Sequence, residues 1–312
     1  MTINNIPILM IVYNRPEFTR KVFLQIAKYS NSKLYVAGDG PKNSKDKILC
    51  QKVKDIFINN KKIKIIKNFS NKNLGCKIRE SSAIKWFFSK EKFGIILEDD
   101  CLPGKDFFKF CSTLLKKYEK NDEVLLVSGT KFLKSKIGDG DYYFSKYPQF
   151  WGWATWRRFL KVYDPNIVDW PRWKNSKKWK VIKSKMLKQE YLYWENIFDK
   201  TFKNKIDTYD YQILLSMWMN SRVAAITNSN LIENIGLGPN ATHTLYPTIK
   251  KGMKIFDIKK EIKHPSKICI NEVIDRQSFL GKQFEGIYLY FPFNILTKLY
   301  RILKVSTNFL KF

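Results

Sequence analysis

From residue 6 onward, short apolar runs alternate with stretches in which apolar residues recur every three or four positions. Ile6 to Tyr13 is a continuous apolar run of strand length, closed by Asn14-Arg15-Pro16. Pro16 suits a first helical position, and Phe18, Val22 and Ile26 follow at helical spacing. Leu34 to Ala37 reads as a second buried strand that breaks at Gly38-Asp39-Gly40-Pro41. Residues 46–58 then form a second amphipathic helix. From Lys61 to Lys67 lysine alternates with isoleucine, as in a half-buried strand, and a helical stretch from Lys77 to Ser89 leads into GIILEDD. After the acids a helix is expected at once, with Phe107, Phe108, Cys111, Leu114, Leu115 and Tyr118 on one stripe, and then a buried strand from Val124 to Ser128. The order β-α-β-α-β-α-β with short connections predicts an α/β fold, a mostly parallel sheet flanked by helices.

Beyond residue 140 the texture changes. Residues 147–173 are rich in Trp, Tyr and Pro, and 174–205 form a lysine-rich segment of helical character. A new helix starts at Asp210 with Leu214, Met217 and Trp218 on one face, and Val223 to Thr227 is a strand. The tail from Gly286 to Phe312 mixes aromatics and aliphatics with Lys298, Arg301, Lys304 and Lys311, and carries no acid. Such a basic amphipathic segment suits the surface of an anionic membrane. The alternative is a helix docked on the protein's own core.

Composition narrows the picture only in part. A hydrophobic content of 44% and an aromatic content of 15% exclude disorder over the whole length. The formal charge of +29, from 57 Lys+Arg against 28 Asp+Glu, favours polyanionic partners: phosphorylated substrates, an anionic membrane surface or nucleic acid. An AT-biased genome would give the same lysines with no partner at all. The odd number of cysteines and the absence of a CxxC pair point to free thiols and a reducing compartment. The opening residues read as a core strand rather than a signal peptide, and no apolar stretch is long enough to span a bilayer. A cytoplasmic protein is expected.

The densest chemistry lies in FGIILEDDCLPGKDFF, where an apolar strand ends in Glu98-Asp99-Asp100. Open α/β sheets bind ligands at the carboxyl ends of their strands. Three adjacent acids repel one another there, and Mg²⁺ or Mn²⁺ would relieve the repulsion while bridging to phosphates. Acids at strand ends also serve as turn formers and helix caps. The GxGxxG fingerprint and the Walker loop are both absent.

Taken in order, ILMIVYNRPE, GDGP, NKNLGC (Asn71 to Cys76), GIILEDDCLPGKDFFKF, FWGWATWRR, TYDYQ and NLIENIGLGPNATHT resemble glycosyltransferases of the GT-A fold. The set is most similar to a bacterial nucleotide-sugar transferase group labelled haemolytic-protein-like or family-2-like. It is distantly similar to the N-acetylglucosaminyltransferase of N-glycan assembly. The resemblance implies a Rossmann-like GT-A domain over 1–245, with a nucleotide-sugar-binding half at 1–130 and an acceptor-side half at 131–245. The extension 246–312 lies outside it.

The resemblance also implies roles. Asn14 and Arg15 would lie near the nucleotide, and Asp39 would contact the base. Glu98 and Asp99 belong to a DxD-like element, with Glu98 on the ribose or a metal-bound water and Asp100 as the direct ligand of Mn²⁺ or Mg²⁺. Asp210 would be the base of an inverting transfer, with Asp207 as the nearby alternative; Tyr209 stands where related enzymes carry Trp. His243 would be a third metal ligand or a donor to the diphosphate. Trp151 or Trp153 would edge the acceptor pocket, and Gly152 would leave room for a bound ligand. The expected activity is metal-dependent, inverting transfer of a hexosyl or N-acetylhexosaminyl group from a nucleotide-diphosphate sugar to a hydroxyl of a surface glycan. Lipopolysaccharide, capsule or a lipid-linked intermediate would serve as acceptor, with the enzyme peripheral on the inner face of the membrane. Two other classes stand beside it: a basic protein that binds single-stranded nucleic acid, for which no signature is present, and a sugar nucleotidyltransferase, whose Gly-rich opening loop is missing.

Overall fold

The computed structural model describes residues 6–58, 63–237, 253–258 and 261–281. His243 and the basic tail lie outside these residues, as does the start of the Lys61–Lys67 stretch. The first half alternates as the periodicity predicts: β1 (Ile8–Val12), α1 (Pro16–Tyr29), β2 (Leu34–Gly38), α2 (Ser44–Asp55), β3 (Ile65–Phe69), α3 (Gly75–Lys90) and β4 (Phe93–Glu98). A short strand β5 (Cys101–Pro103) then separates the acids from α4 (Lys105–Lys117), where an immediate helix was expected. Next come β6 (Val124–Ser128), β7 (Tyr142–Ser145) and β8 (Trp153–Trp156), which runs into a 3₁₀ turn at Arg157–Lys161. The helices α5 (Trp170–Trp173), α6 (Lys177–Ser184), α7 (Lys188–Phe202) and α8 (Asp210–Met219) follow. The last elements are β9 (Val223–Thr227), β10 (Ile232–Asn234) and α9 (Glu272–Leu280).

Eight strands form one sheet in the order β3-β2-β1-β4-β8-β6-β9-β7, and β10 pairs with β5 in a separate two-stranded ribbon. β1, β2, β3 and β4 are parallel neighbours, as are β6 and β9, whereas β8 pairs antiparallel with both β4 and β6 and β7 with β9. The sheet is thus mostly parallel, with six strands in one direction and an inserted reversed strand, β8, at its centre. The sequence pattern hid β8 because Trp-Ala-Thr-Trp is short and is buried throughout, so no alternation of apolar and polar residues marks it.

Alternate residues of each strand supply opposite faces. Ile8, Met10 and Val12 join one core with α1, α2 and α4, while Leu9 and Ile11 join another with α3 and α8. A third cluster explains the lysine-rich segment. Trp170, Trp173, Trp179, Trp194 and Phe198 pack inward with Trp218 and Phe279, and the lysines occupy the outer faces of α6 and α7. Trp179 and Trp194 are wholly buried, and Trp194 stacks on Phe198 with ring centroids 5.6 Å apart. All five cysteines are free thiols. No described helix is long and apolar enough to cross a membrane.

α9 is tied to the sheet through Asp275, which is buried and accepts from the Ser145 hydroxyl and from the Lys146 N–H at 3.1 Å. Burial pushes its carboxyl up to about 6, against the pull of Ser145 and Lys146. A carboxyl near 4 when unfolded loses its proton first as pH rises, so this group's stabilisation is complete below about pH 4 and is lost between about 4 and 6. The wild-type protein is therefore expected to lose about 2–3 kcal/mol across that window relative to an Asp275→Asn variant. Urea unfolding of both proteins at pH 4, 5, 6 and 7 measures it, and equal pH slopes would contradict it.

Candidate active site

β1, β2 and β4 are in register, with Val12 opposite Gly38 and Ile11 opposite Glu98, so their carboxyl ends open at one place. Arg15 follows β1, Asp39 follows β2, and Asp99 and Asp100 follow β4. The Arg15 guanidinium reaches both aspartates: its Nη1 lies 2.9 Å from Asp100 Oδ2, and its Nη2 pairs with Asp99 Oδ1. The repulsion that suggested a metal is thus met within the chain by an arginine. Burial works against the Arg15 charge, but Asp99 and Asp100 outweigh it and raise its pKa above the ordinary guanidinium value. Asp99 also accepts from the Tyr13 N–H at 3.3 Å. Burial raises its carboxyl to about 6, with Arg15 opposing. Glu98 is pushed further, to about 8, by burial and then by Asp100.

Asn14 and Asp39, both expected at the nucleotide, are engaged inside the protein. Asn14 donates its amide to Asp46 at 2.8 Å, beside the Tyr13 hydroxyl at 2.7 Å. Asp39 accepts from the N–H groups of Gly40, Leu74 and Gly75 and from the Asn73 amide, at 2.8–3.1 Å. Asp207, the alternative base, accepts from the N–H groups of Cys76 and Lys77 at 3.0 and 2.8 Å. Two carboxylates therefore cap the first turn of α3, where an anionic ligand would otherwise be favoured. Gly75 makes the turn possible with φ +78. Asp39→Ala is expected to destabilise the fold by about 2 kcal/mol, since one buried and three half-buried donors lose a charged acceptor. A urea midpoint unchanged from wild type would contradict this.

The acceptor-side residues divide. Asp210 begins α8, and its Oδ1 accepts from the Thr208 hydroxyl and from the Tyr211 N–H at 2.9 Å. Asp210 and Trp151 line one cleft of about 150 Å³ with Phe132, Gln149, Phe150 and Tyr211. Trp153 does not line it: β8 turns this ring into the core, only 1% exposed, against Phe150 and Phe159. The space beside Gly152 is also taken by the protein rather than by a ligand. Its φ is +66, and a Cβ there would lie 2.5 Å from Ile232, so both backbone and packing require glycine.

Two residues that sequence reasoning left unassigned join these parts. The Tyr209 hydroxyl donates to Glu98 Oε1 at 2.8 Å. Glu80, buried on α3 beneath the site, accepts weakly from the Cys76 thiol at 3.4 Å, and its Oε2 has no partner. Burial and the neighbouring Glu98 raise its carboxyl well above the usual range. Its signal was legible: Glu80, Ala83, Ile84 and Phe87 form one helical stripe, in which a carboxylate is out of place. Tyr209 carried no such mark.

Among the described residues no three His, Cys, Asp or Glu side chains assemble a metal site. Asp100 nonetheless suits a hard cation, because Mg²⁺ is commonly held by one or two carboxylates plus substrate phosphates. Asp100 is buried, and its neighbour at 236 must be glycine, because a Cβ there would lie 2.3 Å from Asp100 Oδ2.

No family model matches the chain, and no curated protein sequence matches it. Among solved structures it is similar over 51% of its length to a mannosyltransferase from Pyrobaculum calidifontis in complex with GDP-Man and Mn2+, at 11% identity and a TM-score of 0.38. The glycosyltransferase GlyE of Streptococcus pneumoniae TIGR4 matches 71% of the chain at 12% identity and a TM-score of 0.35. A UDP-glucose pyrophosphorylase complexed with UDP-glucose matches 71% at 6% identity and a TM-score of 0.36. The matched region spans 47% of the mannosyltransferase and 45% of GlyE. Similarities of this size assign no activity.

Proposed function

We propose that this protein is a glycosyltransferase that moves a sugar from a nucleotide-diphosphate donor to a hydroxyl of a glycan acceptor. One observation carries the reading: Asp99 and Asp100 after β4 pair with Arg15, and the adjoining Glu98 accepts from Tyr209 at the start of the helix whose Asp210 lines an aromatic cleft. A phosphate-handling end and a base beside a sugar-sized, aromatic-walled space are what inverting transfer needs.

In this reading Arg15 turns toward the donor diphosphate, and Asp100 holds Mn²⁺ or Mg²⁺, with His243 the proposed further ligand. The cation, when bound, supplies Lewis-acid stabilisation of the leaving diphosphate. Glu98 and Asp99 flank the donor, and Asn14 and Asp39 shape its pocket through the loops they fix. Trp151 offers a ring face to the acceptor sugar. Asp210 takes the acceptor hydroxyl proton as that oxygen bonds to the anomeric carbon, and the bond from that carbon to the diphosphate oxygen breaks on the opposite face. A lipid-linked or surface glycan acceptor, met at an anionic membrane, follows from the basic charge and the resemblance.

The test is turnover of UDP-, GDP- and CDP-sugars by purified protein, with Mn²⁺, with Mg²⁺ and with EDTA. Release of one nucleoside diphosphate supports the transferase. Pyrophosphate release from a nucleoside triphosphate and a sugar phosphate would replace it with a nucleotidyltransferase. Neither binding nor turnover of any nucleotide sugar would overturn both.

A further inference from the structure

The donor-side acids and the acceptor-side base come from distant parts of the chain, yet a single hydroxyl links them. Glu98 is the last residue of β4 and Asp210 the first of α8. Tyr209, next to Asp210, donates to Glu98 Oε1 at 2.8 Å across a sequence separation of 111 residues. Its ring is 4% exposed and meets Phe150 edge-on with centroids 5.9 Å apart, and Phe150 is a wall of the cleft. The phenol is therefore held by its ring on the core side and by Glu98 at the end of β4.

We propose that Tyr209 is a positioning residue, whose hydroxyl sets the start of α8, and so Asp210, against the acids at the end of β4. The inference rests on the transferase reading and adds to it a residue that touches neither donor nor acceptor. Its physical basis is the steep dependence of rate on the placement of a reacting group: an error of about 1 Å can cost about a hundredfold. Binding of the nucleotide does not depend on where Asp210 sits. Glu98 is itself fixed by the pairing of β4 with β1, so loss of the hydroxyl falls on kcat far more than on donor KM.

Tyr209→Phe keeps the ring and its packing. The assay is transfer, with kcat counted per site that binds the nucleoside diphosphate, so that unfolded protein does not enter. The expected result is a kcat about 10- to 100-fold lower with donor KM within about threefold of wild type. Because the hydroxyl acts through Glu98, Tyr209→Phe combined with Glu98→Ala, which removes the acceptor, should lose no more than the worse single variant. A Tyr209→Phe kcat within about twofold of wild type, or losses that multiply in the double variant, would overturn the inference alone. A wild-type protein that neither binds nor turns over any nucleotide sugar removes the transferase reading and the inference together.

Discussion

Replacing Asp100 by alanine is expected to cut donor turnover by about a thousandfold or more, equivalent to about 4 kcal/mol of transition-state stabilisation. Two arguments set the size. Asp100 is the hard oxygen donor that the proposed reading gives to the cation, so it is the residue through which a cation would reach the diphosphate. It also pairs with Arg15 at 2.9 Å, and without it the guanidinium is drawn to Asp99 alone. Asp100→Asn keeps the volume and the hydrogen-bond acceptor, and separates loss of charge from loss of shape. Both variants should unfold within a few degrees of wild type, because Arg15 is partly exposed and retains Asp99. Nucleoside diphosphate release is the measurement; a loss smaller than about tenfold in both would remove Asp100 from the mechanism.

Asp210→Asn is expected to lower kcat by about 10² to 10⁴, the usual range for a lost general base, with donor affinity unchanged. The substitution is conservative for the fold: an asparagine oxygen can still accept from the Thr208 hydroxyl and from the Tyr211 N–H, as Oδ1 does. A calorimetric donor Kd within about twofold of wild type, beside the fall in kcat, separates proton transfer from binding. A kcat reduced by less than about tenfold would return Asp210 to the role of a helix N-terminal acid.

Much of the first half was legible. Continuous apolar runs gave β1, β2, β4 and β6, and three-and-four spacing gave the helices between them, since both patterns are local. The β8 insertion was not legible, because nothing within Trp153–Trp156 says which strands it will separate. The same distinction governs the site. Asp100 and Asp210 stood out by type and context. The partners of Arg15, Asn14 and Asp39 are fixed by contacts across strand ends, and Trp151 and Trp153, two residues apart, differ only in which way the backbone turns at Gly152. His243 lies outside the described residues, and its role stays with the proposal.

The reversed central strand has a consequence for how the chain is made. β4 and β6 both leave the ribosome before β8, yet β8 must lie between them. Until Trp153–Trp156 emerge, the edge of β4 offers its backbone groups to any other extended segment. A nascent chain paused after residue 128 therefore lacks the strand that joins β4 to β6. Slow translation there would lengthen the interval in which β4 and β6 could pair wrongly.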